Sequence, residues 1–89
     1  MRVPKLKVLI EAGVVREVEV LHDAAAAGWT VHVTYASRSG ERREVLERQR
    51  GGARIFATLD AVARGLAGLG LIEFRVHAAG LAGAGDEPP

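Results

Sequence analysis

The sequence predicts an α+β domain of element order αβββαβ: a short N-terminal helix, a three-stranded antiparallel meander, one long helix packed on the sheet, and a fourth strand. Two stretches carry the prediction. From Trp29 to Tyr35 the chain alternates without a break, with Trp29, Val31, Val33 and Tyr35 on one side and Thr30, His32 and Thr34 on the other. Period two marks a strand with one buried and one wet face. Every residue there except His32 is β-branched or aromatic, the types that pack on a pleated surface. Further along, Ile55, Leu59, Val62, Leu66 and Leu69 step by three or four, which is the apolar stripe of a helix.

At the N-terminus, residues 1–3 are expected to fray and Pro4 to sit in a first helical turn, where its missing N–H costs nothing. Residues 5–12 then read as a helix, with Leu6, Leu9 and Ile10 at helical spacing and Gly13 as a left-handed C-cap. A strand reading competes, because Leu6, Val8 and Ile10 also alternate; the ending Glu11-Ala12-Gly13 favours the helix.

Residues 14–22 form the first predicted strand. Val18 and Val20 share a face with Arg16 and His22, and Glu17, Glu19 and Leu21 lie on the other. The segment from Asp23 to Gly28 is a hairpin loop, since four alanines are too short a nucleus for a helix. The apolar pattern selects a register with His22 opposite Trp29, Val20 opposite Val31, Val18 opposite Val33, Glu19 opposite His32 and Glu17 opposite Thr34. A slip of one residue would set apolar against polar throughout.

Residues 37–41 make the next turn. With Ser39-Gly40 as its two-residue loop, a third strand runs over 42–50, placing Leu46 opposite Val33 and Glu47 opposite His32. Its charge density suits an exposed edge. Gly51-Gly52 breaks the chain, and the long helix follows over 54–69, weakened at Gly65 and Gly68 and ended by Gly70. Residues 71–77 form the fourth strand, with Ile72, Phe74 and Val76 inward and Glu73, Arg75 and His77 outward. It could lie beside the first strand or beside the third; the first is preferred, which leaves the charged third strand at the edge. One domain is expected over 1–79, and residues 80–89, Gly-rich and ending Asp-Glu-Pro-Pro, as a disordered tail.

Composition removes several function classes. Twelve Lys and Arg against eleven Asp and Glu leave a formal net charge of +1, so the chain is no strongly basic nucleic-acid binder, though a local patch is open to it. With no Cys there is neither a disulfide nor a Cys-based zinc site. No run approaches the roughly 18–20 apolar residues of a membrane span, and no secretory signal opens the chain, so cytoplasmic residence without a membrane partner is expected.

Catalytic chemistry is thin. Ser37 and Ser39 are the only serines and share one turn, with no base placed to activate either. Gly65 to Gly70 has neither the preceding strand nor the Gly-Lys-Ser/Thr ending of a phosphate loop. The predicted register sets His32 between Glu19 and Glu47, a set that could hold a divalent ion; a surface ion-pair row is the plainer reading. No enzyme, cofactor or metal site is therefore expected. The strongest electrostatic feature is the run holding Arg38, Arg42, Arg43, Arg48, Arg50 and Arg54 against Glu41, Glu44 and Glu47, a local excess of three positive charges. Such a surface attracts phosphate backbones, although a solvated edge strand looks much the same, and the open face offers no aromatics for base stacking.

Four stretches, Leu9-Ile10-Glu11-Ala12-Gly13-Val14-Val15-Arg16, Gly28-Trp29, Arg54-Ile55-Phe56-Ala57-Thr58-Leu59-Asp60-Ala61-Val62 and Leu69-Gly70-Leu71, in that order, resemble the small ParC-type partition-associated proteins of plasmids and integrated elements. The resemblance spans about residues 5 to 77 and rests on pattern and order. It implies an accessory role in DNA segregation or mobile-element maintenance, with ParA- and ParB-type partition proteins as partners. The expected function is thus a non-enzymatic accessory acting through protein or DNA contacts, with the six arginines as contact surface. The alternative is a small homodimeric interaction module with no nucleic-acid role.

Overall fold

The structure, a computed structural model, describes residues 1–78, so the expected tail over 80–89 lies outside the described residues. It is an α+β fold with two helices and a four-stranded mixed sheet: α1 (Val3–Glu11), β1 (Val15–Asp23), β2 (Gly28–Ser37), β3 (Gly40–Val45), α2 (Leu59–Ala67) and β4 (Arg75–His77). The sheet order is β3-β2-β1-β4. β1 and β3 run antiparallel to β2, and β4 runs parallel to β1.

The β1–β2 register is the one the valines select, with Val18 opposite Val33, Val20 opposite Val31 and His22 opposite Trp29. All four valines are buried. Arg16 does not join their face. A bulge between Val15 and Glu17 takes it out of the ladder, and the guanidinium turns back towards the Gly13 carbonyl at 3.5 Å. One extra residue in the strand spares the core a charge.

The third strand is shorter than expected and paired differently. It ends at Val45, and the loop is Arg38-Ser39, with Gly40 already paired to Ser37. Val33 therefore faces Glu44 and His32 faces Val45, two residues from the expected register. A two-residue slip keeps every side chain on its face, so Leu46 is still buried and donates its N–H to the Val31 carbonyl at 2.7 Å.

The long helix over 54–69 is replaced by a nine-residue α2 starting at Leu59. Thr58 caps it by accepting from the Ala61 N–H at 3.0 Å. Upstream the chain is extended, because Phe56 exchanges two backbone hydrogen bonds with Trp29, at 2.8 and 2.9 Å. That crossing needs Gly28: a Cβ there would meet the Phe56 carbonyl oxygen at 2.8 Å. Ile55 and Leu59 are left exposed, while Phe56, Val62 and Leu66 reach the core.

Both termini of the described chain also differ from expectation. Residues 1–3 are not frayed: Met1 is buried, its ammonium donates to the Val45 carbonyl at 2.6 Å, and its carbonyl accepts from the Glu47 N–H at 2.6 Å. α1 closes with the Gly13 and Val14 N–H groups bonded back to Ile10 and Leu9. β4 covers only Arg75–His77, and Ile72, expected to face inward, is 83% exposed. Among the described residues no helix is long and apolar enough to cross a membrane.

Candidate functional site

Two polar surfaces were open to function: the wet face of the sheet and the arginine-rich segment. On the wet face, strand pairing lines up Arg75, Glu19 and His32 across β4, β1 and β2. Glu19 is the centre. Its carboxylate bonds Arg43 at 3.2 Å and lies 2.9 Å from the His77 Nε2. Burial pushes the Glu19 carboxyl up, but the Arg43 hydrogen bond and charge, with the His77 charge, outweigh it and hold the group below the usual range. Arg75 sits 3.4 Å from Glu17.

His32 is not held between two glutamates. The β2–β3 register carries Glu47 away to the N-terminal ammonium, 3.4 Å distant, and the His32 Nε2 lies 2.9 Å from the Thr30 hydroxyl instead. Burial first, then the Arg43 charge, lower its pKa against the opposing pull of Glu19. Among the described residues no group of three or more His, Asp or Glu side chains is arranged to hold a metal. The face is a row of ion pairs whose charges are spent on one another.

The six predicted arginines do not form one surface. Arg38 stands at the tip of the β2–β3 turn. Arg42 pairs with Tyr35 on the helix-bearing side of β3, whereas Arg43 lies on the wet side, tied to Glu19. Arg48 and Arg50 lie beyond the far end of β3, in a turn closed by the Arg48 N–H to the Gly52 carbonyl at 2.9 Å and the Gly51 N–H to the Arg48 carbonyl at 3.1 Å. A six-residue strand spans roughly 20 Å, so the two ends of β3 are separate neighbourhoods.

At the far end the structure brings together Arg2, Arg48 and Arg54, which with Val3, Pro4, Glu47 and Gln49 line a cleft of about 420 Å³. Arg54 arrives there because its backbone N–H bonds the Leu46 carbonyl at 2.9 Å, and its guanidinium lies 4.6 Å from the centre of the Phe56 ring. Arg48 is aimed by its own turn, with Nε donating to the Gly51 carbonyl at 3.1 Å. Arg2 is the N-cap residue of α1. Among the described residues, none of these three guanidiniums has a carboxylate within ion-pair distance. Neutral partners orient Arg48 and Arg54 and leave N–H donors free, which suits planar recognition of phosphate or carboxylate oxygens.

Arg2 was not singled out from the sequence. It lies far along the chain from Arg48 and Arg54, and only the Met1–Glu47 backbone pairing brings the two regions together. No protein-family model matches the chain, and no curated protein and no solved structure matches it either.

Proposed function

We propose that this chain is a non-enzymatic contact module that grips a polyanion, the phosphate backbone of DNA, through the Arg2–Arg48–Arg54 cleft. The observation that carries the reading is that three arginines, none ion-paired to a carboxylate among the described residues, line one cleft together. On β3 and the wet face, by contrast, Glu44, Arg43, Glu19, Arg75 and Glu17 are ion-paired within the chain. The resemblance to ParC-type proteins supports an accessory role in plasmid or mobile-element partition, with ParA- and ParB-type proteins as partners.

A salt titration of duplex DNA binding tests the reading. Three phosphate contacts give a slope of log affinity against log salt of about −2.7, independent of base sequence. Arg48→Glu with Arg54→Glu abolishes binding, while Arg38→Glu at the other end of β3 leaves it unchanged. Equal losses from both, or no binding by the unaltered chain at low salt, would sink the proposal. Direct titration with purified ParA- and ParB-type proteins tests the partner assignment separately. One observation favours the homodimer of the second reading, whatever the nucleic-acid role: the exposed apolar edge at β4.

A further inference from the structure

The two edges of the sheet are unlike. β3 carries Glu41, Arg42, Arg43 and Glu44, charges of the kind that blunt an edge against stray pairing. β4, at the other edge, follows Ile72, which is 83% exposed, and carries Val76, which is 40% exposed. Phe74 between them is half-buried against the core. Glu73 and Arg75 are both exposed and alternate with these apolar residues. Among the described residues no strand pairs with the outer side of β4.

The segment Ile72-Glu73-Phe74-Arg75-Val76 reads as its own complement. When two copies of a strand pair antiparallel about a two-fold axis, one residue faces itself and its neighbours exchange places. Centred on Phe74, Glu73 of each copy faces Arg75 of the other, and Ile72 faces Val76. Both charge contacts are attractive and both apolar contacts fall on one face. Centred on Glu73 or on Arg75, the axis sets like charges opposite each other, which destabilises the pair. Centring between two residues sets apolar against charged. Of these, one register satisfies every position from Ile72 to Val76.

We propose that two copies of this chain associate edge to edge through β4, in the antiparallel register centred on Phe74, forming one continuous eight-stranded sheet. Pairing extends β4 towards its N-terminal side, where residues 71–74 are outside any strand in the single chain. Arg75 then lies between its own Glu17, at 3.4 Å, and Glu73 of the second copy. The pairing does not draw on the arginine cleft, so either proposal can fail alone.

The test is sedimentation equilibrium of the full chain over a concentration series, with charge-reversed variants. The unaltered chain self-associates to a dimer, and Ile72→Glu, an alteration at an exposed position, makes it monomeric. Glu73→Arg sets Arg against Arg, and Arg75→Glu sets Glu against Glu; each alone weakens association about tenfold or more. An equimolar mixture of these two variants forms a heterodimer, because every charged pair is again opposite in sign. Restoration by mixing is an outcome that misfolding of either variant cannot mimic. A full chain still monomeric at about 1 mM overturns the proposal. So does a dimer that Ile72→Glu leaves intact, or a full chain that dimerises only after residues 79–89 are deleted, which would make the C-terminal segment the occupant of the edge.

Discussion

Glu44 is the residue on which the N-terminal segment and the sheet converge. Its carboxylate accepts from the Tyr35 hydroxyl and from the Lys5 ammonium at 2.9 Å, and the N-terminal ammonium lies 3.5 Å away. The Tyr35 and Lys5 hydrogen bonds, only partly opposed by burial, bring its pKa down from 4.5 to about 2. A carboxylate with a depressed folded pKa contributes stability that is complete above its unfolded value and is lost as pH falls through the folded value. The window therefore runs from about pH 4.5 down to about pH 2. The side chain is about a quarter exposed, so solvent screening trims the contribution to about 1–2 kcal/mol. Urea midpoints measured across that window should fall more steeply for the unaltered chain than for Glu44→Gln. Identical slopes would show that the cluster contributes nothing to folding. His32 acts at higher pH with the same sign: its lowered pKa means the unfolded chain takes up the proton first, so stability declines as pH drops through the usual histidine range.

At the scale of elements, the β1–β2 pair was legible because a slip of one residue would have exposed Val18, Val20, Val31 and Val33 together. The β2–β3 pair was not, because a slip of two residues costs no burial and only the turn geometry distinguishes the alternatives. The start of α2 was obscured for another reason. Ile55 and Phe56 continue the helical spacing of Leu59 and Val62, yet the Phe56 backbone is committed to Trp29. The signal that could have located the true start was Thr58 followed by Asp60, a capping residue with an acid in the first turn. Replacing Thr58 with Ala should cost about 1 kcal/mol, seen as a melting temperature lower by about 4–8 °C in a domain of this size. No change in melting would mean that Phe56, rather than the cap, sets where the helix begins. The arginine site was half legible. Arg48 and Arg54 lay in the run marked by charge, but Arg2 enters only through the pairing of Met1 with Glu47, which leaves no trace in periodicity.

For the whole molecule, the sheet divides into a part assembled from neighbours and a part that is not. β1, β2 and β3 are joined by the short loops 24–27 and 38–39, whereas β4 must cross from the end of α2 to reach β1, pairing Glu19 with Arg75. Contacts distant in sequence pay a larger loop-closure entropy and form late. Substitution of Val31 by Ala should slow folding, while Val76→Ala should speed unfolding and leave the folding rate nearly unchanged, a φ-value near zero. Stopped-flow chevrons of the two variants decide it, and a slowed folding limb for Val76→Ala would refute the order. If β4 docks last, its outer edge does not exist on any partly folded chain. The proposed self-recognition through that edge would then carry a built-in delay: an incomplete copy has nothing to offer, and only chains that have finished folding can find each other.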